Sequence, residues 1–361
     1  MFFKVPDFHS FPPSFLFFIQ IQEAVMKPFA STAVNDPGRG TLICKRQGPE
    51  TQFVRIHAQY PLKFIPTKAY ADRLAVVYMI SYGGGIVCGD RFDITMEIQP
   101  EAILLLMTQG NTKVFRDRVH QRQWLAKIAQ QARPSLPFSS LLPPTPPSSP
   151  SSNTDGASLQ LIEATVASSA TLLIMPDPVT SFRDSSFKSH QAYRLEDTTS
   201  QLVLLDWFNS GRLTRGETWA FKHYSSRIDV YHGDRLLLRD HMVLEDEEYM
   251  RTDAMQTSYA AKLYPYTCFA TLIVVSDGSS SLYRSIEAFQ KKAEAERMLP
   301  VNVRSRQDIL WSVSPLLNGR GSLVRVSGIT TEQVRDFIKH QVLGKGLEEI
   351  IGSGMFSKVL M

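Results

Sequence analysis

Only three cysteines occur in the 361 residues, Cys44, Cys88 and Cys268, far apart and odd in number. Neither a disulfide framework nor a Cys-x-x-Cys metal knuckle can be built from them, and such usage fits a reducing, cytoplasmic compartment. No apolar run reaches the ~20 residues that a membrane-spanning helix requires. The net charge of +4, from 39 basic and 35 acidic residues, is mild, and no long Lys/Arg run is present. Neither a membrane nor nucleic acid is therefore an expected partner. The eight histidines (His9, His57, His120, His190, His223, His232, His241 and His340) include no pair at i, i+2 or i, i+4. His-Glu-x-x-His, Gly-x-Ser-x-Gly and zinc-type Cys/His clusters are also missing, so no local motif announces a metal site or a nucleophile.

What is present is an ordinary globular balance, 43% hydrophobic and 20% charged, enough to bury a sizeable core. Near the N-terminus Phe15 to Ile21 is apolar and Lys4 precedes it, as in a secretory signal. Pro12 and Pro13 interrupt the approach, however, and no small-residue cleavage site is clear. Residues 1–30 read instead as a disordered or wrongly assigned extension, with Met26 an alternative start. The remainder, 31–361, is expected to form one β-rich domain. Seven prolines among serines between residues 134 and 155 can neither nucleate a helix nor complete a ladder. They mark a disordered insertion at about 121–155, with Gln121 to Gln131 either a short helix or part of it.

The densest local signal is Tyr82-Gly83-Gly84-Gly85-Ile86-Val87-Cys88-Gly89-Asp90-Arg91. Glycines at 83, 84, 85 and 89 allow a sharp turn or a close backbone approach, because glycine alone takes positive φ without a steric penalty. A phosphate loop would need Gly-Lys-Ser/Thr and a following helix. Here Asp90 puts negative charge where the phosphate would sit. Phe92, Ile94, Met96 and Ile98 then alternate with Arg91, Asp93, Thr95 and Glu97, which predicts a half-buried strand. A structural turn is the favoured reading, with a nucleotide-binding enzyme as an alternative.

Strand signals dominate. Ala102 to Met107 is apolar throughout, as a strand buried on both faces would be. Residues 227–232 and 235–239 flank Gly233-Asp234 as a hairpin, and further strands are expected at 51–59, 73–80, 160–166, 170–175, 187–195, 201–208 and 267–275. Helices are expected at Ser285 to Leu299, with Ile286, Phe289 and Ala293 on one stripe, and from a Thr330/Gln333 capping box to Gly344. Asp90, Asp93, Asp177, Asp206, Glu217 and Asp240 are candidate acid/base carboxylates, although each also fits a surface charge or turn cap. A β-solenoid carbohydrate-active enzyme would need such carboxylates convergent on one face.

In combination these segments resemble the urease accessory protein D family. The likeness rests on Gly84-Gly85-Ile86-Val87-Cys88-Gly89-Asp90, the alternating strand, and Thr108-Gln109-Gly110-Asn111-Thr112-Lys113-Val114-Phe115, in which Thr108, Gln109, Lys113 and Phe115 match the family motif. Further anchors are Gly38-Arg39-Gly40 with Leu42, Pro61-Leu62-Lys63, Met175-Pro176-Asp177-Pro178-Val179, and Trp207 through Gly211-Arg212 to Arg215-Gly216-Glu217. The resemblance is closest over about residues 38–246 and extends more loosely through the C-terminal third. Many bacterial members have Leu-Pro-Gln-Glu where this chain has Met175-Pro176-Asp177-Pro178, so the acidic residue is shifted by one position.

The resemblance implies a mainly β fold, a strand-rich β-helix-like body with two C-terminal α-helices. It implies a non-enzymatic scaffold whose partners are urease, the helical urease accessory protein F and the nickel-binding GTPase accessory protein G. No cofactor would be tightly bound, and Ni²⁺ would be present only in transit. Asp90, Thr112, Asp177 and Glu217, which sit in matched segments, are then candidates to line a metal path, or else turn caps and structural hydrogen-bonding groups.

Overall fold

The computed structural model describes residues 37–69, 71–116, 157–245, 259–298, 308–317 and 320–361. The expected extension at 1–30 and the insertion at 121–155, with its possible short helix, lie outside them.

Two antiparallel hairpins come first, β1 (Arg39–Gln47) with β2 (Glu50–Ala58), and β3 (Leu62–Thr67) with β4 (Leu74–Ser81). The chain then shuttles through β5 (Arg91–Ile98), β6 (Ile103–Thr108), β7 (Thr112–Val114), β8 (Ser158–Val166), β9 (Thr171–Ile174), β10 (Val179–Ser181), β11 (Ser186–Leu195), β12 (Gln201–Asn209) and β13 (His223–His232). Within this run β5, β8, β11 and β13 pair in parallel in one sheet, while β4, β6, β9 and β12 pair in parallel in another. Successive strands thus alternate between sheets, which is a β-helical coil. The short strands β7 and β10 form a corner attached to β12. Antiparallel strands finish the sheets: β14 (Arg235–Glu245) on the first, β15 (Cys268–Val275), β16 (Ile309–Leu316) and β17 (Gly321–Gly328) on the second.

Burial follows the layers. The first sheet has one covered face, so β5 buries Phe92, Ile94, Met96 and Ile98 and turns Arg91, Asp93, Thr95 and Glu97 outward. The second sheet is covered on both faces, and all six residues of β6 are buried. One apolar cluster, including Leu42, Ile94, Leu104, Leu204 and Phe208, fills the space between the sheets. A second, including Val76, Leu105, Leu205 and Trp207, lies between the second sheet and the helices. Neighbouring residues of one strand serve different clusters, as the two-residue period requires.

The helices are α1 (Tyr259–Leu263), α2 (Ser281–Arg297), α3 (Thr331–Asp336), α4 (Gly344–Ile351) and α5 (Ser353–Phe356), with a π-helical stretch at Phe337–Leu343. Ser280 caps α2, accepting from the Leu282 N–H at 3.2 Å, and Leu282, Ile286, Phe289 and Ala293 form its buried stripe. The Thr330/Gln333 capping box forms as expected, with bonds of 3.3 and 3.1 Å. One expectation needs correction: the last helical run does not stop at Gly344, which instead opens α4. Gly344, at φ +42°, redirects the chain, but Val342, Leu343, Leu347 and Ile351 keep it buried. Apolar spacing overrode the glycine as a terminator.

Every outer edge of the two sheets is interrupted. Pro66 lies in edge strand β3 and Pro315 in edge strand β16, where a proline has no N–H to give a further strand. The Arg297 guanidinium also donates to the Val313 carbonyl of β16 at 2.9 Å. On the first sheet, β2 and β14 carry bulges, with Val54 and Leu237 skipped in the pairing. Prolines and bulges are the devices that prevent edge-to-edge strand addition.

Candidate functional site

The glycine turn and the Thr108–Phe115 segment, far apart in the pattern, meet in space. The Ile86 N–H donates to the Lys113 carbonyl at 2.7 Å and the Phe115 N–H to the Ile86 carbonyl at 2.9 Å, a bridge in which Ile86 sits beside Val114. The glycines divide the work. Gly83 and Gly84 have φ of +82° and +74° with open space around them, whereas Gly85 is extended and buried. A Cβ on Gly85 would lie 2.5 Å from the Lys113 carbonyl and 2.7 Å from the Phe115 ring, so it is there for close approach. Gly89, at φ +80°, completes the turn.

Asp90 closes that turn on itself: its carboxylate accepts from the Val87 N–H at 2.9 Å, and its own N–H donates to the Val87 carbonyl at 2.9 Å. Asp177 sits at a corner between β9 and β10. Its carboxylate accepts from the Gly110 N–H at 2.7 Å, and its N–H donates to the Thr108 hydroxyl at 2.8 Å. Burial pushes the Asp177 carboxyl above the usual range, opposed by the Gly110 and Thr108 bonds and by Arg335. Thr112 joins the same corner through its N–H, which donates to the Pro178 carbonyl at 3.1 Å. The shifted acidic residue thus ties its segment to the Thr108–Phe115 motif.

Glu217 is held in a bidentate pair by Arg212, with one bond of 2.7 Å, and its carboxyl is lowered by that guanidinium. Arg212 also lies over the Phe182 ring at 4.2 Å, and Phe182 packs edge-on against Phe115 at 5.3 Å. These groups border a cleft of about 670 Å³ lined by Gly83, Gly84, Lys113, Phe115, Thr180 and Arg212, among others. Of the four path candidates, the structure brings Thr112 and Asp177 to one corner, where Thr112 bonds Pro178 and Asp177 bonds Gly110 and Thr108, locks Glu217 to Arg212, and uses Asp90 as a turn cap. Gln109 is exposed.

A further carboxylate lies deeper. On β12 the residues facing the first sheet are Leu202, Leu204, Asp206 and Phe208, so Asp206 is set in the apolar space between sheets. It accepts from the Ser226 hydroxyl at 2.7 Å and the Gln191 amide at 3.3 Å, while the Tyr193 hydroxyl donates to Gln191 at 2.7 Å. No cation is among these partners. Burial therefore raises the Asp206 carboxyl above its ordinary value, against the two hydrogen bonds, and Asp240 adds a like charge. Asp240 is paired with Arg325, an ion pair that links β14 of the first sheet to β17 of the second.

Several buried hydroxyls on the neighbouring strands have no hydrogen-bond partner among the described residues: Ser189 on β11 and Tyr224 on β13, then Ser181 on β10, and Ser185 and Ser210 just outside β11 and β12. Ser185 and Ser189 continue the inward row of Gln191 on β11, and Ser210 that of Asp206 on β12. Buried polar groups are normally satisfied, so this row of hydroxyls is the polar exception in an otherwise apolar space. Asp206 was readable only as one of several carboxylates. The available signal was a lone charge inside Leu202-Val203-Leu204-Leu205-Asp206-Trp207-Phe208. Among the described residues no group of three or more His, Cys, Asp or Glu is placed to hold a metal ion. No described helix is long and apolar enough to cross a membrane.

Similarity to known proteins runs along most of the chain. The urease accessory protein 4 of Cryptococcus neoformans is 27% identical over 314 residues, 84% of this chain and 89% of that protein. The urease accessory protein D of Arabidopsis thaliana is 27% identical over 336 residues, covering 88% and 99%, and UreD of Sorangium cellulosum is 29% identical over 302, covering 84% and 78%. The family described as UreD urease accessory protein matches residues 36–349. With both halves of the glycine-corner motif and the Trp207–Glu217 segment inside that span, the chain belongs to the UreD urease accessory protein family.

Proposed function

We propose that this chain is a non-enzymatic scaffold of urease maturation that, together with a helical accessory protein and a GTPase, passes Ni²⁺ toward the urease active site. The observation that carries this reading is the row of oxygen donors between the sheets, centred on Asp206. An ion crossing an apolar core needs donors to replace its hydration shell. An ion that must leave again needs donors that do not close around it. Nickel(II) favours imidazole nitrogen and thiolate over isolated carboxylate and hydroxyl oxygens, so a path of Asp206, Ser226, Gln191 and the unpartnered hydroxyls would bind and release. Thr112 and Asp177 stand at the motif corner and Asp240 beside Arg325 at the β14–β17 end. Asp90 and Glu217 support the corner through the turn and the Arg212 clamp.

The test is urease activation in a strain lacking the native scaffold. Wild-type chain should restore nickel-loaded urease, and Asp206→Ala, with the complex still assembling, should leave urease protein present but poor in nickel. Full nickel loading by Asp206→Ala would remove the path, and assembly without any change in urease would remove the maturation role itself.

A further inference from the structure

The outer face of the first sheet is covered by no described element, and at its β11–β14 end it carries His190, Arg194, Arg227 and Arg239. The registers of β11, β13 and β14 set Ala192, Asp229 and Arg239 in one row and His190, Arg227 and His241 in the next. Asp229 is the buried member, its side chain 2% exposed, while Arg227, Arg239 and His190 keep 36%, 48% and 43%. Its carboxylate accepts from Arg239 Nε at 2.6 Å and from an Arg227 terminal nitrogen at 2.8 Å, and it lies 3.2 Å from His190 Nε2. Arg194 lies flat on Tyr231, 4.5 Å from the ring centre.

Burial pushes the Asp229 carboxyl up, but the bonds from Arg239, Arg227 and His190 hold it well below the usual carboxylate range, so part of this arrangement is structural. One anion nevertheless cannot neutralise three arginines. Asp229 takes Nε and one terminal nitrogen of each of Arg227 and Arg239, and so fixes two guanidinium groups side by side in side chains that stay partly exposed. Fixed forks suit carboxylates, which they bind in pairs of parallel bonds. Glu163, exposed on β8 in register with Ala192, borders the patch. A carboxylate at the rim disfavours a continuous polyanion and suits the spaced carboxylates of an acidic protein surface.

We propose that the face formed by Arg194, Arg227 and Arg239 docks an acidic surface of a protein partner, with Asp229 as the buried pin that orients the forks. The site is distinct from the inter-sheet row, and its test does not depend on nickel transfer. The probe is a fluorescein-labelled peptide of alternating Glu/Asp and Ser, followed by anisotropy with the full-length chain. Binding at low ionic strength should weaken at physiological salt, where screening acts within about 8 Å. Arg194→Glu should weaken it about tenfold, and Lys45→Glu, the same charge change on β1, less than about twofold.

Asp229→Asn separates orientation from bulk charge. It makes the face more positive, yet it should bind the peptide more weakly because the forks lose their pin. Tighter binding by Asp229→Asn, equal losses for Arg194→Glu and Lys45→Glu, or no binding at all would overturn the proposal. So would tighter binding of a single-stranded RNA of equal charge, or light scattering showing self-association abolished by Arg194→Glu. Should Asp229→Asn fail to fold by circular dichroism, the Arg194/Lys45 comparison decides alone.

Discussion

The two faces of the second sheet make the instructive contrast. They are built from the same strands, residue by residue in alternation, yet one is sealed and the other is threaded with polar groups. On the helix side Leu205 and Trp207 meet Ile286, Phe289 and Leu347. Polar groups there are partnered: Gln290 donates to Ser322, and Lys339 donates to the Val359 carbonyl at 2.7 Å. On the other side, one residue away, Asp206 sits among hydroxyls without partners. Polar groups on the helix side are thus partnered, whereas several on the inter-sheet side are not, and it is this difference on which the proposed path rests.

Moving the charge across the sheet should break that contrast most severely. Leu205→Asp would place a carboxylate among helix-side apolar groups and is expected to lower stability by about 3–5 kcal/mol, the range for an uncompensated buried charge. Urea unfolding measures it, and near-neutrality would mean the helix side is not sealed. Next, Phe289→Ala should remove about 3–5 kcal/mol by cavity formation, because Phe289 is 2% exposed and packs on Trp311 and Phe337 at 5.0 and 5.9 Å. Its urease activation should fall only in proportion to folded protein.

At the motif corner, Gly85→Ala should destabilise by about 1–3 kcal/mol through overpacking against Lys113 and Phe115. Gly83→Ala, strained only by its positive φ, should lose about 1–2 kcal/mol. Equal effects at the two positions would show that Gly85 is not needed for close approach.

The smallest effect sharpens the contrast by its sign. Asp206→Asn removes a carboxylate whose folded pKa is raised above its unfolded value, so ionisation at neutral pH opposes folding. Melting temperature should rise by a few degrees at neutral pH. The gain should shrink as the pH falls below the unfolded carboxylate value of about 4, where the wild-type group is protonated in both states. Nickel loading of urease should fall in the same variant. A variant both less stable and fully active would contradict the assignment.

Much of this fold was legible because half-buried strands declare themselves. The β5 alternation, the β6 apolar run and the Thr330 capping box were read from spacing alone. The edge strands β3 and β16, and β17 beside the latter, were not, since Pro66, Pro315 and alternating serines mimic loops until a neighbouring strand supplies the ladder. The continuation past Gly344 was hidden for a related reason, a local terminator outweighed by burial. The corner joining Gly85 to Lys113 could be suspected from two motifs, but not the hydrogen bonds that make it. Asp206 was visible as a charge in an apolar strand, but its surroundings come from β11 and β13, and no linear pattern reports which strands will face it.

The interrupted edges limit how the molecule can be recognised. A partner that extends a sheet reads mostly backbone, and backbone is much the same in every protein. With prolines at one pair of edges and bulges at the other, that generic handshake is withdrawn, and whatever assembles on this chain must be chosen by its side chains.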